Sequence, residues 1–384
     1  MEQPAPALPA FGEGLLDRLL PTVATSLGVT GLNRPGDRDL DPARRAVVVL
    51  VDGLGAELLR RRGGHAPFLR SLLGRQGSIT LGCGFPSTTA TSMATFGTGR
   101  LAGEHGLVGY EAYDPATGRA FNELSWEQGP APRTWQPHGT VFEAAGSQGV
   151  EPVRIGPGFF DGSGLTEAAL RGGRFVAAAS LAQRVDAALA AVREHPRALV
   201  YLYWGDLDKV GHVHGCESWQ WGDELESIDA ELRRLAASVP ADCALHVTAD
   251  HGMVDVPHER RLDLAVEADL AAGVVEVAGE PRSVQLHCTP GAVTDVVAAW
   301  RERLGDEAVV ATRAEAVAAG WFGSVVEDRV APRIGDVVAT MTGPVAVVDS
   351  RRHRPELIAL LGLHGSLTVD EVAIPWLTLP AERA

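Results

Sequence analysis

Ala46-Val47-Val48-Val49-Leu50-Val51-Asp52-Gly53 is an aliphatic run that stops abruptly on a carboxylate and a glycine. Successive side chains of a strand point to opposite faces, so an unbroken apolar run suits a strand covered on both sides. Two later runs end in the same way. Ala198 to Trp204 stops at Gly205-Asp206-Leu207-Asp208, and residues 244–248 stop just before Asp250-His251-Gly252. Helical periodicity lies between them, clearest in 181–194 and in 224–239, where Leu225, Ile228, Leu232 and Leu235 recur at three- and four-residue spacing. Strands alternating with helices predict an α/β fold, a three-layer α/β/α sandwich around a mostly parallel central sheet. In such sheets ligands collect beyond the carboxyl ends of the strands, which is where these Asp and His residues fall.

The pattern changes after His251. Residues 254–330 hold their own short strands (274–277 and 284–288) and a helix (292–304), and are expected to form a small α/β cap inserted into a core made of 1–253 and 331–384. Residues 336–341 and 345–348 are expected to rejoin the central sheet, followed by a helical stretch at 355–361 and the loop Gly362-Leu363-His364-Gly365. The first 40 or so residues, rich in Pro, Gly and Leu, are expected to wrap the surface.

With 384 residues, 45% of them hydrophobic and 22% charged, the chain has material for a large core. Its formal charge of -15 and the absence of any Lys/Arg-rich run argue against a nucleic-acid polymer as partner. A small anionic substrate remains compatible, because bound metal ions reverse the local field. The opening MEQPAPALPAFGEGLLDRLL lacks a basic region followed by a continuous apolar stretch, and no later segment offers about 18 uninterrupted apolar residues. A cytoplasmic protein with no membrane partner is expected, and homo-oligomerisation is left open. Cys83, Cys216, Cys243 and Cys288 are scattered without CxxC spacing, as buried thiols would be.

Asp208-Lys-Val-Gly-His212 places a carboxylate and an imidazole one helical turn apart, a donor pair suited to zinc, although exposed Asp/His pairs at this spacing also arise by chance. Asp250-His251 after an aliphatic strand is a better signal, since two polar, metal-capable side chains at a strand end need a reason for being there. Its plainer reading is a helix N-cap Asp followed by a surface His, and Asp52-Gly53 likewise reads as a cap or turn. The segment from Gly84 to Gly99 is dense in hydroxyls. It can be a capped helix start, or it can present a nucleophilic hydroxyl where free amides and the helix dipole favour a phosphoryl group. Such a hydroxyl needs a base or metal to become reactive.

Each piece is ambiguous separately, but their order resembles the alkaline phosphatase superfamily. Within it the chain is most similar to the type I phosphodiesterase/nucleotide pyrophosphatase family and the related phosphonoacetate hydrolases. In that family the nucleophile lies nine residues before the Thr of a Thr-Gly pair and follows Phe-Pro-x-x. Thr98-Gly99 and Phe85-Pro86-Ser87-Thr88-Thr89 both select Thr89, with Thr88 as fallback. The resemblance implies an alkaline phosphatase-like core and two zinc ions, with Mn²⁺ as the alternative. One ion would be held by Asp52, Thr89, Asp250 and His251, the other by Asp208, His212 and His364. It further implies hydrolysis of a phosphodiester or nucleotide pyrophosphate through a covalent phospho-threonine. His214 is ranked as outer or surface, and Gly103-Glu104-His105-Gly106 as a structural turn. The nucleotide-cleaving members carry an aromatic residue directly after the nucleophile and an Asn three residues after it, where this chain has Ala90 and Ser92. Ser92 is retained as a hydrogen-bonding contact to substrate, and Tyr110, with Trp204, as a candidate wall of a leaving-group pocket. The remaining alternatives are phosphonoacetate hydrolysis, phosphomonoester hydrolysis, a metal-dependent phosphomutase and a non-catalytic binding module. A sulfatase is disfavoured, because Cys83-Gly-Phe-Pro does not match Cys-x-Pro-x-Arg.

Overall fold

A computed structural model describes residues 14–382. The run that opens the sequence becomes the strand Arg45–Val51, the middle of a seven-stranded sheet, and residues 46–51 have no solvent exposure. Ala198–Trp204 lies on one side of it and Cys243–Thr248 on the other, both parallel to it. Glu151–Gly156 and Arg174–Ala177 extend the sheet in parallel beyond Ala198–Trp204. On the opposite side Ala373–Leu379 runs antiparallel, between Cys243–Thr248 and Ile79–Gly82. The observed class is the expected one, a mostly parallel α/β sheet with helices on its faces.

The flanking helices follow from capping and periodicity. Ser180 and Gln183 form a reciprocal capping box at the start of Leu181–Glu194. A later helix, Trp219–Ser238, starts earlier than its Leu/Ile spacing indicated. Ser218 accepts from the Trp221 amide and fixes the start there, and Trp221 is fully buried beside Leu225, Ile228, Leu232 and Leu235. The expectation of a surface-wrapping N-terminus falls partly on residues 1–13, outside the described residues. For residues 16–27 it fails: Leu16, Leu19, Leu20 and Val23 have zero exposure, and Leu19–Ser26 is a core helix. Residues 30–44 run over the surface without regular structure.

A second sheet of six strands is antiparallel throughout. Its order is Ala308–Thr312, Val337–Met341, Ser283–Cys288, Val274–Glu280, Glu111–Asp114, Arg119–Asn122. Val337–Met341, expected in the central sheet, is therefore a strand of this one. Ala346–Val348 pairs with Arg261–Asp263 in a separate ribbon, and the chain re-enters the central sheet only at Ala373–Leu379. Val337–Met341 is buried at every position, so its apolar run specifies a strand covered on both faces without specifying which sheet. The hairpin 111–122 comes from the N-terminal half, so this sheet is not confined to residues 254–330. Trp300, Leu286, Val337 and Met341 form a core of their own beneath the helix Val293–Leu304.

One buried ion pair ties the second sheet to the His364 loop. Arg282 and Glu371, 1% and 0% exposed, meet through two parallel bonds of 2.8 and 2.7 Å. Glu371 also accepts from the Ser366 amide at 3.1 Å and the Thr368 hydroxyl at 2.5 Å, and Arg282 donates to the carbonyls of Gly343 and Val345. Glu371→Ala would leave the guanidinium buried without a counter-charge. The expected loss is about 3–5 kcal/mol of stability, read from urea unfolding at neutral pH.

Candidate metal centre and its cavity

Three neighbouring strands deliver the carboxylates. Asp52 follows Arg45–Val51, and its amide donates to the Trp204 carbonyl at 2.8 Å, keeping the strand ends in step. Gly53, at φ +73°, turns the chain immediately afterwards. Asp208 sits in the first turn of the helix Asp206–His214 that follows Ala198–Trp204, and His212 comes one turn later on the same face. Asp250 and His251 follow Cys243–Thr248. There Gly252 is packed so tightly that a Cβ would lie 2.0 Å from the Asp370 carbonyl oxygen, so only glycine lets the chain pass. His364 arrives from the loop after Gly362–Leu363, a short strand paired with Val254–Asp255.

These residues converge on two groups, each with its donor atoms mutually within 4.8 Å: Asp52, Asp208 and His251, and Asp208, His212 and His364. Asp208 is common to both. His251 Nε2 lies 3.3 Å from Asp52 Oδ1 and 3.5 Å from Asp250 Oδ2. His212 Nε2 lies 3.2 Å from Asp208 Oδ2, and His364 Nε2 lies 3.9 Å from Asp208 Oδ1. The rings of His251 and His364 stack at 3.7 Å, bridging the groups.

The donor atoms are left free for a cation. Each imidazole gives its Nδ1–H to a backbone carbonyl: His212 to Gly362 at 2.6 Å, His251 to Gly252 at 3.0 Å, His364 to Ser87 at 2.9 Å. A carbonyl only accepts, so each Nδ1 carries a proton and each Nε2 is the nitrogen turned inward, as in ligating histidines. Asp52 Oδ1, Asp208 Oδ1 and Asp250 Oδ2 are buried without a hydrogen-bond partner. Burial, with Asp250 and Asp208 nearby, pushes the Asp52 carboxyl well above the usual range, and burial raises Asp250 to about 7. Burial opposes ionisation of Asp208 too, but the imidazoles of His212, His364 and His251 hold it well below the carboxylate range. His212 is raised to about 9 by Asp208 against the downward push of its own burial. Buried carboxylates this close cannot all ionise without compensating positive charge, which a pair of divalent cations would supply. The oxygen and nitrogen donors suit zinc.

Thr89 is the first residue of the helix Thr89–Thr98, and its Oγ1 lies 3.2 Å from His251 Nε2. Thr88 is the N-cap, yet its side chain caps no amide. Ser92 is fully buried in the helix, with no hydrogen-bond partner for its hydroxyl, and does not line the cavity; Tyr110 does. Trp204 also stands outside the cavity, donating its indole N–H to Glu224 at 2.7 Å. His214 is exposed. His105 is fully buried and bonds to Thr95 at 3.1 Å, a structural role. Tyr203, which sequence reasoning absorbed into the strand core, donates its hydroxyl to Asp52 Oδ2 at 2.5 Å. Its signal was a phenol one residue before the strand end, two residues after Tyr201 and so on the same face of the strand.

The centre opens into a cavity of about 670 Å³ between the two sheets, large enough for a substrate with an organic group on phosphorus. Its walls are mainly apolar, with Phe159 and Phe160 from one side and Val277, Val347 and Leu360 from the other.

The family model for type I phosphodiesterase/nucleotide pyrophosphatase matches residues 46–367. An uncharacterised pyrophosphatase/phosphodiesterase of Schizosaccharomyces pombe is 26% identical over 238 residues, covering 59% of this chain and 48% of its own, so the chain spans about half the length of that relative. Murine ectonucleotide pyrophosphatase/phosphodiesterase 5 superposes with a TM-score of 0.68 at 18% identity, over 86% of this chain and 87% of that one. The phosphonoacetate hydrolase of Sinorhizobium meliloti 1021, in complex with phosphonoacetate, superposes with a TM-score of 0.69 at 19% identity, over 89% and 91%. At these identities the likeness establishes the fold. The family match runs from the first core strand past the loop that carries His364, and on that basis this chain belongs to the type I phosphodiesterase/nucleotide pyrophosphatase family of the alkaline phosphatase superfamily.

Proposed function

We propose that this protein is a two-metal phosphoester hydrolase acting on small phosphodiesters or nucleotide-type pyrophosphates, with Thr89 as nucleophile. The observation that carries the reading is the Thr89 hydroxyl at a helix N-terminus, 3.2 Å from His251 Nε2, beside buried carboxylate oxygens without partners. The helix has ten residues, and its first-turn amides have no acceptor within the helix and no side-chain cap, so they point at the place where a phosphoryl oxygen would sit.

Two divalent ions, zinc with Mn²⁺ as the alternative, would lower the pKa of the Thr89 hydroxyl, neutralise the phosphoryl oxygens and stabilise the departing oxygen. Asp52, Asp250 and His251 would hold one ion with Thr89, and His212 and His364 the other, with Asp208 between them. Tyr203 fixes one oxygen of Asp52 so that the other faces inward. Thr89 Oγ attacks phosphorus and the alcohol or phosphate leaves. Water then cleaves phospho-Thr89, restoring the hydroxyl and giving net retention at phosphorus. A mutase would need several free cations to keep its released intermediate. Lys209 pairs with Asp206 at 2.7 Å, and Arg184 spends its donors on the carbonyls of Ala178, Tyr203 and Ala179. Arg154 is thus the single Lys or Arg of the lining without such partners, fewer than a mutase needs, which favours release to water. The volume and apolar walls of the cavity favour a diester over a bare monoester.

Thr89→Ala should lower turnover of bis(4-nitrophenyl) phosphate by roughly a thousandfold or more while metal content stays within error of the parent. Parent-like turnover in that variant would exclude Thr89. The shared position of Asp208 makes a second prediction. Asp208→Asn should lower the metal-to-chain ratio at both sites, whereas His212→Gln should remove one ion and keep the other, as measured by plasma emission on dialysed protein. Chelation of the parent should lower its melting temperature, and zinc should restore it, since an ion that binds only the folded state stabilises it.

A further inference from the structure

Arg154 is the anomaly among the buried guanidinium groups. It is 7% exposed, lines the cavity of the metal centre, and has neither Nε nor Nη1 hydrogen bonded. Its remaining contacts are a long 3.5 Å bond from Nη2 to the Gly173 carbonyl and a position 5.7 Å from the Phe175 ring centroid. Among the described residues no carboxylate forms an ion pair with it. Arg184 and Arg282 are as deeply buried, and each places all three nitrogens in hydrogen bonds. A buried, unpaired cation is costly, so its retention beside an open cavity calls for a ligand that pairs with it.

The register shows how far this charge lies from the chemistry. Arg154 stands opposite Tyr201, which stands opposite Val48, and Val48 precedes Asp52 by four residues, about 13 Å of strand at the usual rise per residue. Such a separation keeps the guanidinium from the reacting phosphoryl group itself. The cavity that Thr89 and Arg154 both line is lined also by Ala90, Met93, Leu165, Leu170 and Phe175. Tyr201, in register with Arg154, donates its hydroxyl to Met93 Sδ at 3.4 Å, so that wall is built against the helix that begins at Thr89.

We propose that Arg154 anchors a second anionic group of the substrate, a carboxylate or a further phosphate, joined to the reacting phosphoryl group through an apolar or aromatic spacer. This rests on the reading of Thr89 as the reacting hydroxyl. It narrows the substrate class to amphipathic dianions, with one charge at the metal centre, an uncharged body along Met93 and Phe175, and the other charge at Arg154. Planar, forked donors suit either oxyanion, and the apolar surroundings raise the strength of the pairing.

The test uses the full chain and separates binding from hydrolysis. Calorimetry on metal-free protein would compare 3-phenylpropionate, phenylethyl phosphate and 3-phenylpropionamide as probes. The parent should bind the two anions roughly ten- to a hundredfold more tightly than the amide, and the better of the two identifies the oxyanion. Arg154→Gln should abolish that preference and leave amide binding unchanged, and Arg154→Lys should restore part of it. In the metal-loaded enzyme, Arg154→Gln should raise KM for a 4-nitrophenyl diester bearing a carboxyethylphenyl group and leave kcat within about twofold. The rise in KM should be smaller for bis(4-nitrophenyl) phosphate, which carries no second anion. Because the substitution removes a buried charge that has no ion-pair partner, with Asp161 and Glu167 acting on it only from a distance, its melting temperature should be equal to or above that of the parent. Equal affinity of the parent for the amide and the anions would overturn the anchor, even if the enzyme hydrolyses diesters. Anion selectivity in a protein that hydrolyses no phosphoester would support the anchor and overturn the hydrolase reading instead.

Discussion

Three buried carboxylates, Asp52, Asp208 and Asp250, set the terms for everything around them. They stand at the ends of three adjacent parallel strands, where the sheet brings like charges together and excludes most of the water that would screen them. Such a cluster is stable only if protons or cations occupy the space between the oxygens. The surrounding groups serve that end. Three imidazoles point Nε2 inward because backbone carbonyls hold the other nitrogen, and Tyr203 satisfies the one Asp52 oxygen that faces away. The Thr89 hydroxyl completes the rim.

The histidines depend on distant parts of the chain. His364 is supplied by a loop held through Ser366 and Glu371, and Glu371 is held by Arg282 from the second sheet. The antiparallel sheet therefore does more than cover the centre: its packing fixes one candidate ligand and forms one wall of the cavity. The opposite wall comes from Phe159, Phe160 and Phe175 near the other edge of the central sheet. The cavity thus spans two layers that have separate cores, and its shape follows from how they meet.

Much of the centre was legible in the linear order of residues because an aliphatic run that stops on Asp or Asp-His signals a strand end, and strand ends of parallel sheets gather ligands. Asp52, Asp208, Asp250 and His251 are all of this kind. His364 was legible only through the family order, since its own surroundings read as an ordinary loop. Ser92 illustrates the limit. Spacing put it one turn from Thr89, but the helix turns that side toward the core, away from the cavity. Tyr203 was missed for the converse reason, as its run looked wholly apolar.

The sequence by itself determined the three buried parallel strands that carry Asp52, Asp208 and Asp250, the periodic helices between them and the order in which candidate metal-binding side chains arrive, because periodicity and polar breaks are local properties. Only the tertiary structure decided that Val337–Met341 joins the second sheet and that Ala373–Leu379 closes the first, since a doubly buried strand carries no mark of its partner. Only there does Asp208 fall between two groups of donors, and only there is Arg154 seen to lack a partner. Both depend on distances between residues far apart in the chain, which packing fixes and local pattern does not.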